Sequence, residues 1–223
     1  MDKYNVYQDM SRRTGGEIYL GIVGPVRTGK STFIKRFMEL VVIPEMADDN
    51  EKVRTIDELP QSADGKTIMT TEPKFIPKEA AVIHFSNQET GKIRLIDCVG
   101  YLVPEAVGAI EEEKERMVKT PWSEEEIPFS KAAEIGTSKV IREHSNLGLI
   151  ITDGSFGDIP AVNFEEALQK TVMECEKAGK PFLILVNTSR PDSQETIQFT
   201  KRLEAQYGKT VMAVNCKTMD RED

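Results

Sequence analysis

The sequence predicts an α/β fold: a mostly parallel six-stranded sheet with helices on both faces and one antiparallel strand. Three observations predict it. Short apolar runs alternate with segments of helical periodicity along most of the 223 residues. Two of the runs are joined by a polar turn, which makes a hairpin. A glycine-rich loop lies directly between the first apolar run and the first helix, where open α/β sheets place anions.

The elements follow in order. Residues 17–23, Glu-Ile-Tyr-Leu-Gly-Ile-Val, read as a buried strand. Residues 31–40 read as a helix, with Phe33, Phe37 and Leu40 at helical spacing. Residues 80–85 and 92–97 are strands joined through Ser86-Asn-Gln-Glu-Thr-Gly91, and the antiparallel member belongs most simply at a sheet edge. Helices at 130–144, 163–178 and 193–207 then interleave with strands at 148–152, 181–186 and 210–214. Two stretches, 42–78 and 101–129, are long, charged and punctuated by proline, and fit neither period. We read one domain over 1–223, with a core of about 15–215 and a long insertion at about 101–129.

Composition narrows the function. Hydrophobic residues are 39% and charged residues 30%, as in globular domains. No apolar run approaches the roughly 20 residues of a membrane span. Residues 1–14 are polar and carry no apolar signal core. Cys98, Cys175 and Cys216 are odd in number and widely spaced, which suits a reducing cytoplasm. His84 and His144 share no metal-ligand spacing with them, so zinc is not expected. A net charge of -8 argues against nucleic-acid partners, which need a basic face.

It does not argue against phosphate held locally by backbone amides. Gly24-Pro-Val-Arg-Thr-Gly-Lys-Ser-Thr32 matches G-x-x-x-x-G-K-[ST] between strand and helix. The loop, Gly24, Val26, Arg27, Thr28 and Gly29, is expected to turn amides inward onto phosphates. Lys30 adds a cation, Ser31 a hydroxyl for Mg²⁺, and Thr32 the first-turn amide. In Leu95-Ile-Asp-Cys-Val-Gly100, Asp97 ends an apolar strand and is placed to hold Mg²⁺, with the Gly100 N–H on the γ-phosphate. Gly65-Lys-Thr-Ile-Met-Thr-Thr-Glu-Pro73 offers a threonine for Mg²⁺ and the γ-phosphate; Thr70 and Thr71 are preferred, without a choice between them. Arg27 either lends its charge to the phosphates or turns outward to a carboxylate. Tyr101 directly follows Gly100, and we read it as packing. Trp122 is read as an anchor for the insertion.

Together these motifs resemble the translation-factor class of P-loop GTPases, the Era-like and Der-like proteins, over about 15–215. Where that class reads guanine with N-K-x-D, this chain has Asn187-Thr-Ser-Arg190. Asn187 remains, but the carboxylate that accepts from guanine is gone, and with it most discrimination against adenine.

A closer resemblance is carried by Gly15-Gly-Glu-Ile-Tyr-Leu-Gly21, Val26-Arg-Thr-Gly-Lys-Ser-Thr-Phe-Ile-Lys35, Asp57-Glu-Leu-Pro-Gln-Ser62 and Gly65-Lys-Thr-Ile-Met-Thr-Thr-Glu-Pro-Lys-Phe75. Asp97-Cys-Val-Gly-Tyr101, Thr120-Pro-Trp122 and Ala132-Ala-Glu-Ile-Gly-Thr137 extend it. These segments resemble the N-terminal ATPase domain of the stage IV sporulation protein A family. The resemblance implies an Mg²⁺-dependent ATPase of endospore formers, with ATP as substrate. It implies self-association into the basement layer of the spore coat, a short amphipathic membrane-anchoring peptide and other coat proteins as partners. It implies a place in the mother-cell cytoplasm, peripheral on the outer forespore membrane. The family's further C-terminal domains are not found in these residues. The alternatives are a regulatory Era-like GTPase and a nucleotide-binding structural subunit with negligible turnover.

Overall fold

The structure, a computed structural model, describes residues 16–60, 72–84, 90–103, 110–111, 114–154 and 162–223. Its main sheet has six strands: β1 Glu17–Val23, β2 Lys74–His84, β3 Thr90–Asp97, β8 Leu147–Asp153, β9 Phe182–Asn187 and β10 Val211–Val214. Their order is β10-β9-β8-β1-β3-β2. Every pairing is parallel except β2 with β3, and β2 lies at the edge. The expected architecture is therefore present, including the antiparallel edge strand.

The period-two pattern of the strands divides the core between two faces. In β1, Leu20 and Ile22 point to one face, where they meet Phe33, Ile34 and Met38 of α1, Lys30–Phe37, and of the π-helical turn Met38–Val42 that extends it. Cys216 and Met219 close the same face. Val23 points to the other face, with Ile150, Ile184 and Val186. Three helices cover that side. They are α3 Phe129–Lys139, continued by a π-helical turn Val140–His144, then α4 Val162–Lys177 and α5 Gln194–Tyr207. Ile22, Ile34, Ile150 and Ile184 are each 0% exposed, and burying one such side chain contributes about 1.5–3 kcal/mol.

Both stretches that fitted neither period contain regular structure. Residues 42–78 hold α2, Asp49–Glu58, capped by the Asp48 carboxylate accepting from the Asn50 N–H. The β2 strand begins at Lys74, six residues before the expected 80, because Pro77 reads as a strand breaker. A register shift between Ile76 and Ala81 absorbs the break. Residues 101–129 hold two small antiparallel pairs, β4 Ile110–Glu111 with β5 Lys114–Glu115, and β6 Met117–Thr120 with β7 Ser123–Pro128. Trp122 sits at the β6–β7 turn, half-buried, with the Lys139 ammonium of α3 6.0 Å from its ring centroid. That contact sets the hairpin beside α3.

The register brings one end of the sheet together. Ile22 pairs with Asp97, Val23 with Ile150, and Asp153 with Asn187. The loop after β1 and the last residues of β3, β8 and β9 thus share the carboxyl edge, where open parallel sheets bind ligands.

Candidate nucleotide-binding site

The loop between β1 and α1 is shaped by backbone constraints that its sequence satisfies. Gly29 has φ 93°, and a Cβ there would lie 2.3 Å from the Asn187 amide nitrogen. Glycine is required both by the left-handed backbone and by this approach. Thr28 is 1% exposed and donates its hydroxyl to the Pro25 carbonyl at 3.0 Å. Val26, also 1% exposed, inserts into a small apolar cluster with Tyr101, Val103, Phe164 and Ala167. Gly24 closes the loop against β8, where a Cβ would meet Ile151 O at 2.3 Å.

Lys30 begins α1. It is 5% exposed, and its ammonium donates to the Pro25 carbonyl at 2.6 Å. Burial lowers its pKa, opposed by the charge of Asp97. Ser31, one residue on, donates its hydroxyl to Asp97 Oδ2 at 2.9 Å. The second carboxylate oxygen, Oδ1, is buried and has no hydrogen-bond partner. Burial raises the Asp97 pKa, against the pull of Lys30 and the Ser31 hydrogen bond. Thr32 is half-buried in the first turn of α1.

Gly100 packs onto the loop. It has φ 94°, and a Cβ there would meet Gly24 O at 2.2 Å and Lys30 Nζ at 2.7 Å. Tyr101 continues the contact through its backbone, donating to Gly24 O at 3.2 Å and accepting from Val26 N–H at 2.9 Å. Its side chain is 4% exposed in the cluster with Val26, and the Lys170 ammonium lies 4.9 Å from its ring centroid. Tyr101 therefore packs, and burial raises its pKa far above that of a free phenol. Neighbouring Cys98 is buried too, its thiol pushed up to about 11 by desolvation.

Asn187, at the end of β9, ties two loops together. Its amide nitrogen donates to Thr28 O at 3.0 Å, and its amide oxygen accepts from the Cys216 N–H at 3.1 Å. Sequence reasoning missed this use of the turn after β10, because a backbone amide leaves no mark in the sequence. Arg190 faces Glu195 of α5 at 3.5 Å. Arg27 stands exposed in the loop with φ 62°, a left-handed backbone that costs an arginine roughly 1–2 kcal/mol. Thr70 and Thr71 lie outside the described residues.

The structure thus brings together Gly24, Val26, Arg27, Thr28, Gly29, Lys30, Ser31, Thr32, Asp97, Gly100 and Asn187 around one loop. A hydroxyl beside a carboxylate with one unpartnered buried oxygen is a hard oxygen donor set, which suits Mg²⁺. Among the described residues no group of three or more His, Cys, Asp or Glu could hold a metal by protein ligands alone.

Fold and loop define a P-loop nucleotide-binding domain, a doubly covered α/β sheet with the phosphate loop at its carboxyl edge. The chain belongs to the family of stage IV sporulation protein A ATPase domains, whose model matches residues 1–223. It is 51% identical over 224 residues to stage IV sporulation protein A of Bacillus subtilis (strain 168), covering 100% of this chain and 46% of that protein. The Bacillus anthracis protein of the same name is 50% identical over the same shares, and that of Clostridioides difficile (strain 630) is 48% identical over 98% and 45%. The chain thus spans less than half the length of these curated relatives.

Proposed function

We propose that this domain binds MgATP at the P-loop and hydrolyses it, and that hydrolysis drives a structural protein into an assembly-competent state. One observation carries the reading. A buried lysine and a serine–aspartate pair meet beside the phosphate loop, with a carboxylate oxygen left without a partner. Burying such groups is costly unless a ligand of complementary charge arrives.

In this reading the loop amides and Lys30 hold the β- and γ-phosphates, and the Gly100 amide meets the γ-phosphate. Ser31, Asp97 and either Thr70 or Thr71 hold Mg²⁺, which when bound neutralises charge on the phosphates. Asn187 positions the loop beside the base. Family likeness supports the wider proposal: self-association into the coat basement layer, a short amphipathic membrane-anchoring peptide and other coat proteins as partners. The place of action is the mother-cell cytoplasm, at the outer forespore membrane. No helix among the described residues is long and apolar enough to cross a membrane.

Phosphate release with ATP and GTP in parallel tests the core of this. The wild-type chain should release phosphate from ATP, Lys30→Ala should not, and the combined Thr70 and Thr71 substitution should bind ATP but hydrolyse it poorly. Competition should show ATP bound at least as well as GTP. GTP tighter by more than about tenfold, some 1.4 kcal/mol, would mean that the loop at Asn187 still reads guanine.

A further inference from the structure

Arg27 is the exposed residue of a loop whose other members are buried or half-buried. Its neighbours are fastened on both sides. Val26 is anchored by its side chain in the Tyr101 cluster and by its N–H to Tyr101 O. Thr28 is anchored by its hydroxyl to Pro25 O and by its carbonyl to Asn187. Arg27 therefore holds the apex of the loop and cannot relax by shifting either end. It is the one non-glycine residue with positive φ among the described residues, at 62°. Glycine or asparagine would sit there with less strain. No hydrogen bond or ion pair engages its guanidinium among the described residues. A cation without a partner among the described residues, kept against backbone preference, points to function and not to packing.

The chemistry of the loop supplies the function. The position after Gly100 holds Tyr101, whose side chain is committed to Phe164 and Ala167. No polar group is offered from that position to the reacting phosphate. We propose that Arg27 is a catalytic residue acting in cis, its guanidinium folding over the loop onto the γ-phosphoryl group and the bridging oxygen of ATP. The inference rests on the reading that this domain hydrolyses ATP. In that step a bond forms between the water oxygen and the γ-phosphorus, and the bond to the bridging oxygen breaks. The electron pair leaves with ADP, and the water proton ends on inorganic phosphate or solvent. Arg27 keeps its protons throughout and stabilises the charge that builds on the transferring and leaving oxygens.

Arg27→Gly is the informative variant, because glycine suits the left-handed backbone and removes only the side chain. Single-turnover phosphate release should fall by about tenfold or more, while ATP affinity changes by less than about threefold. Binding of MgADP with aluminium fluoride should weaken by the same factor as the rate, since only the transition state is addressed. Arg27→Lys should recover part of the loss. Arg27→Gly working at the wild-type rate, while Lys30→Ala is inactive, would overturn the proposal. So would recovery of Arg27→Gly turnover on mixing with Lys30→Ala protein, which would place the arginine in trans. Wild type no faster than Lys30→Ala would overturn the hydrolysis reading itself, and the role of Arg27 with it.

Discussion

Lys30 and Asp97 are ionisable side chains held where water is scarce, and burial is the largest influence on each. Both are pushed toward their neutral forms, so the nucleotide-free protein carries a cost that MgATP, in the proposed reading, removes. The sign for Lys30 follows from linkage. Its folded pKa lies below the ordinary 10.5, so its penalty is complete below the folded value and vanishes above 10.5. For Asp97 the folded pKa lies above the ordinary 3.8, so its penalty is absent below 3.8 and complete above the folded value. Replacing the pair together, as Lys30→Met with Asp97→Asn, should stabilise the nucleotide-free fold at neutral pH by about 1 kcal/mol or more. Thermal melts should show that gap narrowing as pH rises toward 10.5, as wild type sheds the lysine proton. A double variant less stable than wild type at neutral pH would show that the pair holds the fold together unaided. These residues were legible in the sequence because phosphate chemistry demands particular side chains at particular spacings. Asn187 was only half legible. Its identity marks the base loop, but its two hydrogen bonds run to backbone atoms at Thr28 and Cys216, which any residue could supply.

At the scale of elements, the strands and long helices were legible because each buries a periodic face. Helix α2 was not, because its exposed Val53 and Ile56 and its buried Thr55 reverse the usual amphipathic pattern. The β6–β7 hairpin was not, because Glu124, Glu125 and Glu126 are poor strand formers. Least legible was the clamp on the phosphate loop. Val26, Tyr101, Val103, Phe164 and Ala167 come from three separate segments and meet in one cluster. Through it α4 supports both the loop and the Gly100 segment, joined by the Val26–Tyr101 and Tyr101–Gly24 hydrogen bonds. Phe164 is 3% exposed, so Phe164→Ala should cost about 3–5 kcal/mol. Phe164→Leu keeps most of the volume and should cost less than about 1.5 kcal/mol. In the leucine variant, hydrogen exchange should accelerate at the Val26 and Tyr101 amides before it does in β9. Uniform acceleration across the sheet would mean that the cluster supports the fold at large and not the loop.

At the scale of the molecule, the site gathers groups from distant parts of the chain. Gly24 to Thr32 follow β1, Asp97 ends β3 and Gly100 follows it, Asn187 ends β9, and the Cys216 amide comes after β10. Those strands span five positions of the sheet, β10-β9-β8-β1-β3. A nucleotide that engages them together must stabilise the whole sheet and not one loop. The net charge of -8 makes the rest of the surface unattractive to a polyanion. In the proposed reading, binding therefore depends on the local amides, Lys30 and the oxygens of Ser31 and Asp97. With free MgATP at about a hundred times its Kd, mass action stabilises the folded state by about 2.7 kcal/mol. For a chain of this size that raises the thermal midpoint by roughly 5–10 °C. ATP with the divalent cation chelated should give a smaller shift, because the Asp97 oxygen then gains no partner. MgGTP should give a shift no larger than MgATP, since Asn187-Thr-Ser-Arg190 lacks the guanine-reading carboxylate. Calorimetric scans with the three additions provide the measurement. Equal midpoints with and without the chelator would show that Ser31 and Asp97 serve the loop's own structure and not a metal-bound phosphate.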